Sequence, residues 1–571
     1  MWVYGDRERT ETTRSSLQEL VALGEEIAAA PPGLHRHSLA VDALIRAGSL
    51  AQALADVDLA AAGEDCETVV QALAMSAAQR CAEAVVASWR SGFAAVVDAP
   101  TEVLRRLGAL ALPDTLRIKE PEGYAFYAVY PESYVEAVER AKADADTVVI
   151  GIRSIGTSLA AAVAASAGAR RPITVRPVGH PFQRRVQLAA AMSGRLTRKG
   201  GRLAVVDEGP GLSGSSFGAV VDRLESQGIA RERIILLPSH DGAPGPQSSP
   251  GACARWQALC RFPADFERSI APKLAGWARE LAGPTLAPLD EISGGRWRTC
   301  TAVPDAPVWA MHERRKYLMR TATGVWLLKF AGIGRIGEEK LRLARSLYAR
   351  GFTAEPLGLA HGFLIERWIE HARPASVLPR EHVVRRLGDY LAARSRLPAG
   401  REDGADLSML QEMTRTNLAK AGLEAGAAVT GWSALAGVFR RVRTDGRLHP
   451  WEWLVSIDGQ LLKADALDHC CAHDLVGAQD LTWDIAGAEA EFELSGSEAM
   501  ALRTRVERIS GRAIDEDLLR AMRIAYAAFQ LGWWRMAAES AAGEDRARAA
   551  RQAERYLGWA RKNLPSTIDV R

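Results

Sequence analysis

Cysteine is scarce: seven residues among 571, at irregular spacing. That excludes the disulfide framework of a small secreted scaffold and points to a reducing, cytoplasmic setting. Charge of one sign is lacking too. Lys plus Arg number 72 and Asp plus Glu 69, a net of +3, so bulk charge calls for no nucleic-acid partner and any anion site must be local. No apolar run is long enough to span a bilayer, and the charged stretch Met1 to Thr13 has no signal-peptide core, so neither membrane nor targeting is expected. There is no internal repeat. What is present is a chain too long for one core, at roughly 150 residues per domain. Its 48% hydrophobic and 25% charged residues suit a soluble globular protein.

The pattern changes twice along the chain, which predicts a multi-domain α/β protein. Residues 1–110 read as a helical N-terminal region, with apolar positions such as Leu39, Val41, Leu44 and Ile45 at helical spacing. In residues 111–285, short β-branched runs at Thr147 to Ile152, Leu203 to Val206 and Ile234 to Leu237 alternate with helical stretches, which predicts a parallel sheet covered on both faces. Tyr124 to Tyr130 alternates aromatic and small residues like a strand. In residues 286–571, Val308 to Met311, Tyr317 to Thr321 and Val325 to Phe330 predict an antiparallel meander followed by a helix over Glu338 to Arg350. A mostly helical remainder is broken by a hairpin from Trp453 to Lys463 with Asp458-Gly459 at its turn. This gives a two-lobed α+β domain.

The segment from Leu203 to Phe217 places an apolar strand, two acids (Asp207, Glu208) and a Gly/Ser loop at the start of a helix. Backbone N–H groups and hydroxyls there suit a phosphate, and acids at the carboxyl end of a parallel strand sit where open α/β sheets bind ligands. The segment resembles the phosphoribosyl-diphosphate (PRPP) motif of type I phosphoribosyltransferases. The resemblance implies that Asp207 and Glu208 hold the ribose hydroxyls and Mg²⁺, and that Ser213, Gly214, Ser215 and Ser216 hold the 5′-phosphate. Gly209-Pro210-Gly211 departs from the family pattern. Upstream, Arg153, Ser154, Gly156 and Thr157 open another helix after a strand, the place of the family's diphosphate loop. Between them, His180, Arg184, Arg185, Arg195, Arg198 and Lys199 supply a basic stretch for a cationic lid. The aromatics around Tyr124, Phe126, Tyr127 and Tyr130 form either an acceptor hood or core.

The C-terminal region resembles aminoglycoside-phosphotransferase-like kinases. Val325-Trp-Leu-Leu-Lys329-Phe, then Glu338-Glu339, then Gly362-Phe-Leu-Ile-Glu366 match a small lobe and hinge. The resemblance implies that Lys329 binds nucleotide phosphates, with Glu338 or Glu339 paired to it, and that ATP is the nucleotide. Gly446-Arg447-Leu-His449-Pro450-Trp451-Glu452 matches the catalytic loop, but with Arg447 where the catalytic Asp belongs and Glu452 at the metal-binding Asn. Asp465 matches the second metal ligand, and Asp445 is an alternative base. Trp483-Asp484 matches a helix start, with Asp484 as its cap. His469, Cys470, Cys471 and His473 lack structural-zinc spacing and read as packing.

The function expected from the sequence is a PRPP-dependent phosphoribosyltransferase, releasing diphosphate to a small-molecule acceptor, fused to a kinase-like domain with a non-standard catalytic loop. Two alternatives stand beside it: a small-molecule kinase with a PRPP-like sensor domain, and a non-catalytic PRPP-binding regulator. The expected cofactor is Mg²⁺, with ATP for the kinase-like part. Acceptor and oligomeric state are left open.

Overall fold

The computed structural model describes residues 8–96, 100–197, 201–245, 248–399, 404–470 and 476–564. Arg198, Lys199, Cys471 and His473 lie outside the described residues.

The N-terminal region is helical as its periodicity predicts, with helices Thr13–Ala29, Leu34–Ala62, Val69–Arg90 and Thr101–Gly108. Thr12 and Thr68 accept from Ser15 N and Gln71 N and so cap the first and third. A strand at Glu8–Thr12 pairs antiparallel with Thr115–Lys119 and ties this region to the next.

The central region holds a five-stranded parallel sheet in the order Ile173–Val175, Val148–Ile152, Leu203–Val206, Ile234–Leu237, Cys260–Arg261. The sequences LAVV and IILL are buried at every position, as expected of strands covered on both faces. Glycine at 151 is required by close approach, because a Cβ there would lie 2.3 Å from Gly156 O. The expected strand at Tyr124 to Tyr130 is not one. It is a helical turn, Glu122–Ala125, followed by a loop in which Ala128 has φ +53°. Its aromatics are pinned by tertiary partners: Tyr124 Oη lies 2.7 Å from Ser158 Oγ, and Tyr130 donates to His361 O at 2.7 Å.

In the C-terminal region, an antiparallel sheet runs in the order Asp290–Glu291, Lys316–Thr321, Gly324–Phe330, Phe363–Arg367, Pro356–Ala360. Val308 to Met311, read as a strand, contributes instead to a 3₁₀ turn, Ala310–His312. The helix Arg335–Tyr348 follows the sheet, and the hairpin Trp453–Val455 with Leu461–Lys463 forms as predicted. Long helices, among them Arg380–Arg394 and Glu516–Ser540, build the larger lobe.

One hydrophobic core runs from Leu20 and Leu44 through Tyr130 and Trp277 to Trp326, Phe330 and Ile365. The inner face of the antiparallel sheet is therefore covered by the first two regions, and no core boundary falls at residue 285. At this seam His37, Glu132 and His361 meet, one from each region and all fully buried. Glu132 Oε1 lies 2.8 Å from His37 Nε2 and 2.6 Å from His361 Nε2.

Candidate functional site

Period-two alternation on Gly324–Phe330 sends Trp326, Leu328 and Phe330 into the shared core and leaves Leu327 and Lys329 on the opposite face. There they line a cavity of about 240 Å³ that also reaches Glu366, Glu452, Asp465 and Asp468. Lys329 is 6% exposed. Its ammonium pairs with Asp465, and with Asp468 Oδ2 at 2.5 Å. Burial pushes its pKa down, but these two carboxylates hold it well above the ordinary lysine value.

Neither glutamate expected to partner Lys329 does so. Glu338 is exposed, and Glu339 lies 3.6 Å from Arg443. The helix instead turns Lys340 inward, and its ammonium donates to Asp468 at 2.5 Å. The buried face of this helix carries Gly337, Lys340, Leu341, Ala344 and Leu347, the i, i+3, i+4 spacing of one apolar stripe. That spacing was the missed signal: position 340 lies on the stripe and 338 and 339 do not. Asp468 is the residue that sequence reasoning overlooked. Burial raises its pKa, while Lys329 and Lys340 hold it well below the carboxylate range. Burial first, and then Asp465 and Asp468, push Glu366 up to about 7.

The loop before the hairpin is held by Asp484, which accepts from Asp445 N at 2.7 Å and Gly446 N at 2.9 Å. Asp484 is thus a loop anchor. The cap of the helix Leu481–Glu491 is Asp480, which accepts from Thr482 N. Burial and the Asp445 charge push Asp484 up to about 6. Asp445, the alternative base, is fully buried; Tyr390 Oη donates to it, and His469 Nδ1 lies at 3.2 Å. It does not line the cavity. Arg447 does, with its guanidinium 3.8 Å above the Trp533 ring.

Glu452 accepts from Lys463 Nζ at 2.7 Å. Asp465 has φ +52°, a left-handed conformation that is costly for a residue with a side chain. Ligand atoms of Glu452, Asp465 and His469 lie within 4.8 Å of one another. Two carboxylates and an imidazole are a donor set that fits a divalent cation. At present Lys329 and Lys463 supply the positive charge beside these carboxylates.

The central acid pair has a different character. Burial pushes Asp207 up to about 7, and burial together with Asp207 pushes Glu208 up to about 8. Tyr134 Oη donates to Asp207 O at 2.8 Å. A Cβ at Gly156 would lie 2.7 Å from Val206 O, so the two loops do converge. Ser154 and Thr157 share the turn that opens the Gly156 helix: Thr157 N donates to Ser154 O at 3.1 Å. Arg153, however, is only 4% exposed. It bridges Asp65 and Asp56 of the helical region, with Nε 2.9 Å from Asp56 Oδ1. Its charge is already neutralised there. Ser213 and Ser215 donate to Pro181 O, at 2.9 and 2.5 Å, so the hairpin Val178–His180 with Gln183–Arg185 sits directly on the loop that also carries Gly214 and Ser216.

No protein-family model matches the chain, and no curated protein matches its sequence. Among solved structures, it is similar to the choline kinase LicA from Streptococcus pneumoniae, at 14% identity and TM-score 0.33, covering 51% of this chain and 98% of that one. It is also similar to spectinomycin phosphotransferase APH(9)-Ia in complex with ADP and spectinomycin, at 11% identity and TM-score 0.35, with the same coverage. A choline/ethanolamine kinase family protein from Mesorhizobium loti is similar at 14% identity and TM-score 0.33, over 51% of this chain and 96% of that one. The expectation of a phosphoribosyltransferase is corrected by the geometry: the arginine expected to bind diphosphate is buried and occupied by two aspartates.

Among the described residues, no helix is long and apolar enough to cross a membrane.

Proposed function

We propose that this chain is a nucleotide-dependent small-molecule phosphotransferase that works in the C-terminal cleft. The carrying observation is the group of buried charges on its floor: Lys329 between Asp465 and Asp468, with Glu452 beside Lys463. In this reading Lys329 binds nucleotide phosphates, and Glu452 and Asp465, with His469, hold the divalent cation. The cation supplies charge neutralisation at the phosphates. The lysine–carboxylate pairs serve the nucleotide-free cleft. They keep cationic and anionic groups mutually neutralised until phosphate and metal ion take their places, which limits the cost of leaving charge buried.

The test is calorimetric titration of ATP with and without Mg²⁺ into the full chain and into Asp465→Asn. Wild type is expected to bind ATP more tightly with Mg²⁺. The variant should lose about ten- to a hundredfold of that gain, since one charge-assisted contact contributes about 1.5–3 kcal/mol. Absence of ATP binding, or an Mg²⁺ effect unchanged in the variant, overturns the reading.

A further inference from the structure

We propose that His37, Glu132 and His361 form a structural zinc site at the seam where the three regions of the chain meet. The proposal is independent of the nucleotide reading above, since none of its ligands belongs to the C-terminal cleft.

Each ligand comes from a different region. His37 lies on the helix Leu34–Ala62, Glu132 at the start of the helix Pro131–Ala141, and His361 in the turn between the strands Pro356–Ala360 and Phe363–Arg367. Their ligand atoms lie within 4.8 Å of one another, and all three side chains are fully buried. Two imidazoles and a glutamate are a donor set that zinc takes. The ring centroids of His37 and His361 stand 5.2 Å apart. Two imidazoles on one tetrahedral zinc, each nitrogen about 2.0–2.1 Å from the ion, bring their centroids to about 5 Å. The rings therefore already stand at the spacing the ion requires. Only the carboxylate has to draw back. Glu132 Oε1 is 2.8 and 2.6 Å from the two Nε2 atoms, whereas tetrahedral ligands at those bond lengths are roughly 3.3 Å apart.

The surroundings match a metal centre in three further ways. The outer nitrogen of each ring is held by a serine hydroxyl, His37 Nδ1 by Ser88 Oγ at 3.0 Å and His361 Nδ1 by Ser38 Oγ at 2.9 Å. Contacts of this kind orient histidine ligands around a metal. Glu132 Oε2 is buried with no hydrogen-bond partner among the described residues, a costly state for a carboxylate oxygen. As the second oxygen of a bidentate ligand it brings the ion to four-coordination. His361 has φ +43° and Gly362 φ +94°, the conformation of a two-residue hairpin turn whose first position favours Asn, Asp or Gly. A histidine there serves through its ring. Trp277 meets His361 edge-on at 5.0 Å, and Phe93 lies 4.7 Å from His37. A site sealed in this way leaves no open position for a substrate, so the ion's role is to join the regions, and it enters as they fold together. The imidazoles bind through their lone pairs, and any proton they carried is released to solvent. In the zinc-free chain Glu132 meets both rings directly.

The experiment uses the full chain, expressed without a metal-affinity tag in zinc-supplemented medium and dialysed against EDTA. EDTA strips ions from accessible carboxylates, those of the cleft included, but not from a sealed site. Plasma mass spectrometry is expected to find about one zinc per chain, unchanged in Asp465→Asn and lowered about tenfold or more in His37→Gln and in His361→Gln. Zinc-edge X-ray absorption of the wild-type protein should show four nitrogen or oxygen neighbours with the outer-shell scattering of two imidazoles. That readout needs no variant, and it separates this site from the cleft, where His469 is the one imidazole of the candidate cation set. Less than about a tenth of a zinc per chain in dialysed wild type, fewer than two imidazoles at the ion, loss of zinc in Asp465→Asn, or unchanged zinc in both histidine variants overturns the proposal. If the histidine variants do not fold, the wild-type zinc content and its imidazole count decide alone.

Discussion

Replacing Glu132 by Gln tests whether the three regions are locked together at one buried charge. The side chain is 0% exposed, and Oε1 meets both His37 Nε2 and His361 Nε2. On the far sides of the rings, His37 Nδ1 lies 3.0 Å from Ser88 Oγ and His361 Nδ1 lies 2.9 Å from Ser38 Oγ. Ser38 Oγ also donates to Leu34 O at 2.9 Å, so both rings are held at both nitrogens around one buried carboxylate oxygen. Glutamine keeps the shape but removes the carboxylate charge, and it places an amide N–H₂ where Glu132 Oε2 has no hydrogen-bond partner among the described residues. Breaking a buried pair from one side costs about 3–5 kcal/mol, roughly two to four powers of ten in the opening equilibrium. Hydrogen exchange resolved to the segments around residues 37, 132 and 361 reads that opening directly. Burial opposes ionisation of Glu132, but His361 and His37 hold its pKa well below the ordinary glutamate value. Its contribution is therefore complete above the unfolded pKa near 4.3 and declines as pH falls below that. A triple replacement of His37, Glu132 and His361 by Leu should recover much of the loss, because apolar groups leave no unpaired charge. Protection in Glu132→Gln equal to wild type would refute the reasoning.

Asp207 and Glu208, raised to about 7 and about 8, bind protons in the folded chain that the unfolded chain releases near pH 4. Their contribution to stability therefore falls as pH rises from about 4 to 8. Asp207→Asn with Glu208→Gln should raise the melting temperature more at pH 8.5 than at pH 5, and a fall at pH 8.5 would contradict the assignment. Arg153→Ala leaves Asp56 and Asp65 without their buried partner and should destabilise by about 3–5 kcal/mol, with diphosphate giving no thermal stabilisation in either protein. Stabilisation of wild type by diphosphate, lost in the variant, would contradict this.

The strands of the parallel sheet were legible because both faces are covered, so Val148–Ile152, Leu203–Val206 and Ile234–Leu237 are apolar without interruption. The hairpin around Asp458-Gly459 was legible because its turn chemistry is local. Tyr124 to Tyr130 misled because alternation of aromatics reports burial, and here burial comes from the junction of three regions, not from a pleated sheet. Arg153 misled for a related reason. A Gly-rich turn with one arginine carries no mark of whether a phosphate or a distant aspartate neutralises it, and the aspartates lie 97 and 88 positions away.

The cleft shows the same division between what is local and what is not. Motif matching placed Lys329, Glu452 and Asp465 by position, and all three line one cavity. It could not say which carboxylate lies opposite Lys329, because that depends on the rotation of the helix Arg335–Tyr348 about its axis. The rotation is set by Leu341, Ala344 and Leu347 seeking the larger lobe's core. Once those residues are buried, Lys340 must face inward with them, and an ammonium at that depth requires a carboxylate. Asp468 meets that requirement and serves Lys329 as well. The acid that a helix would have contributed is thus supplied by the segment after the hairpin, four residues C-terminal to Lys463 Cα's neighbour Ala464 in the chain. Two lysines sharing one aspartate tie the strand Gly324–Phe330 and the helix Arg335–Tyr348 through charge to the segment that follows the hairpin.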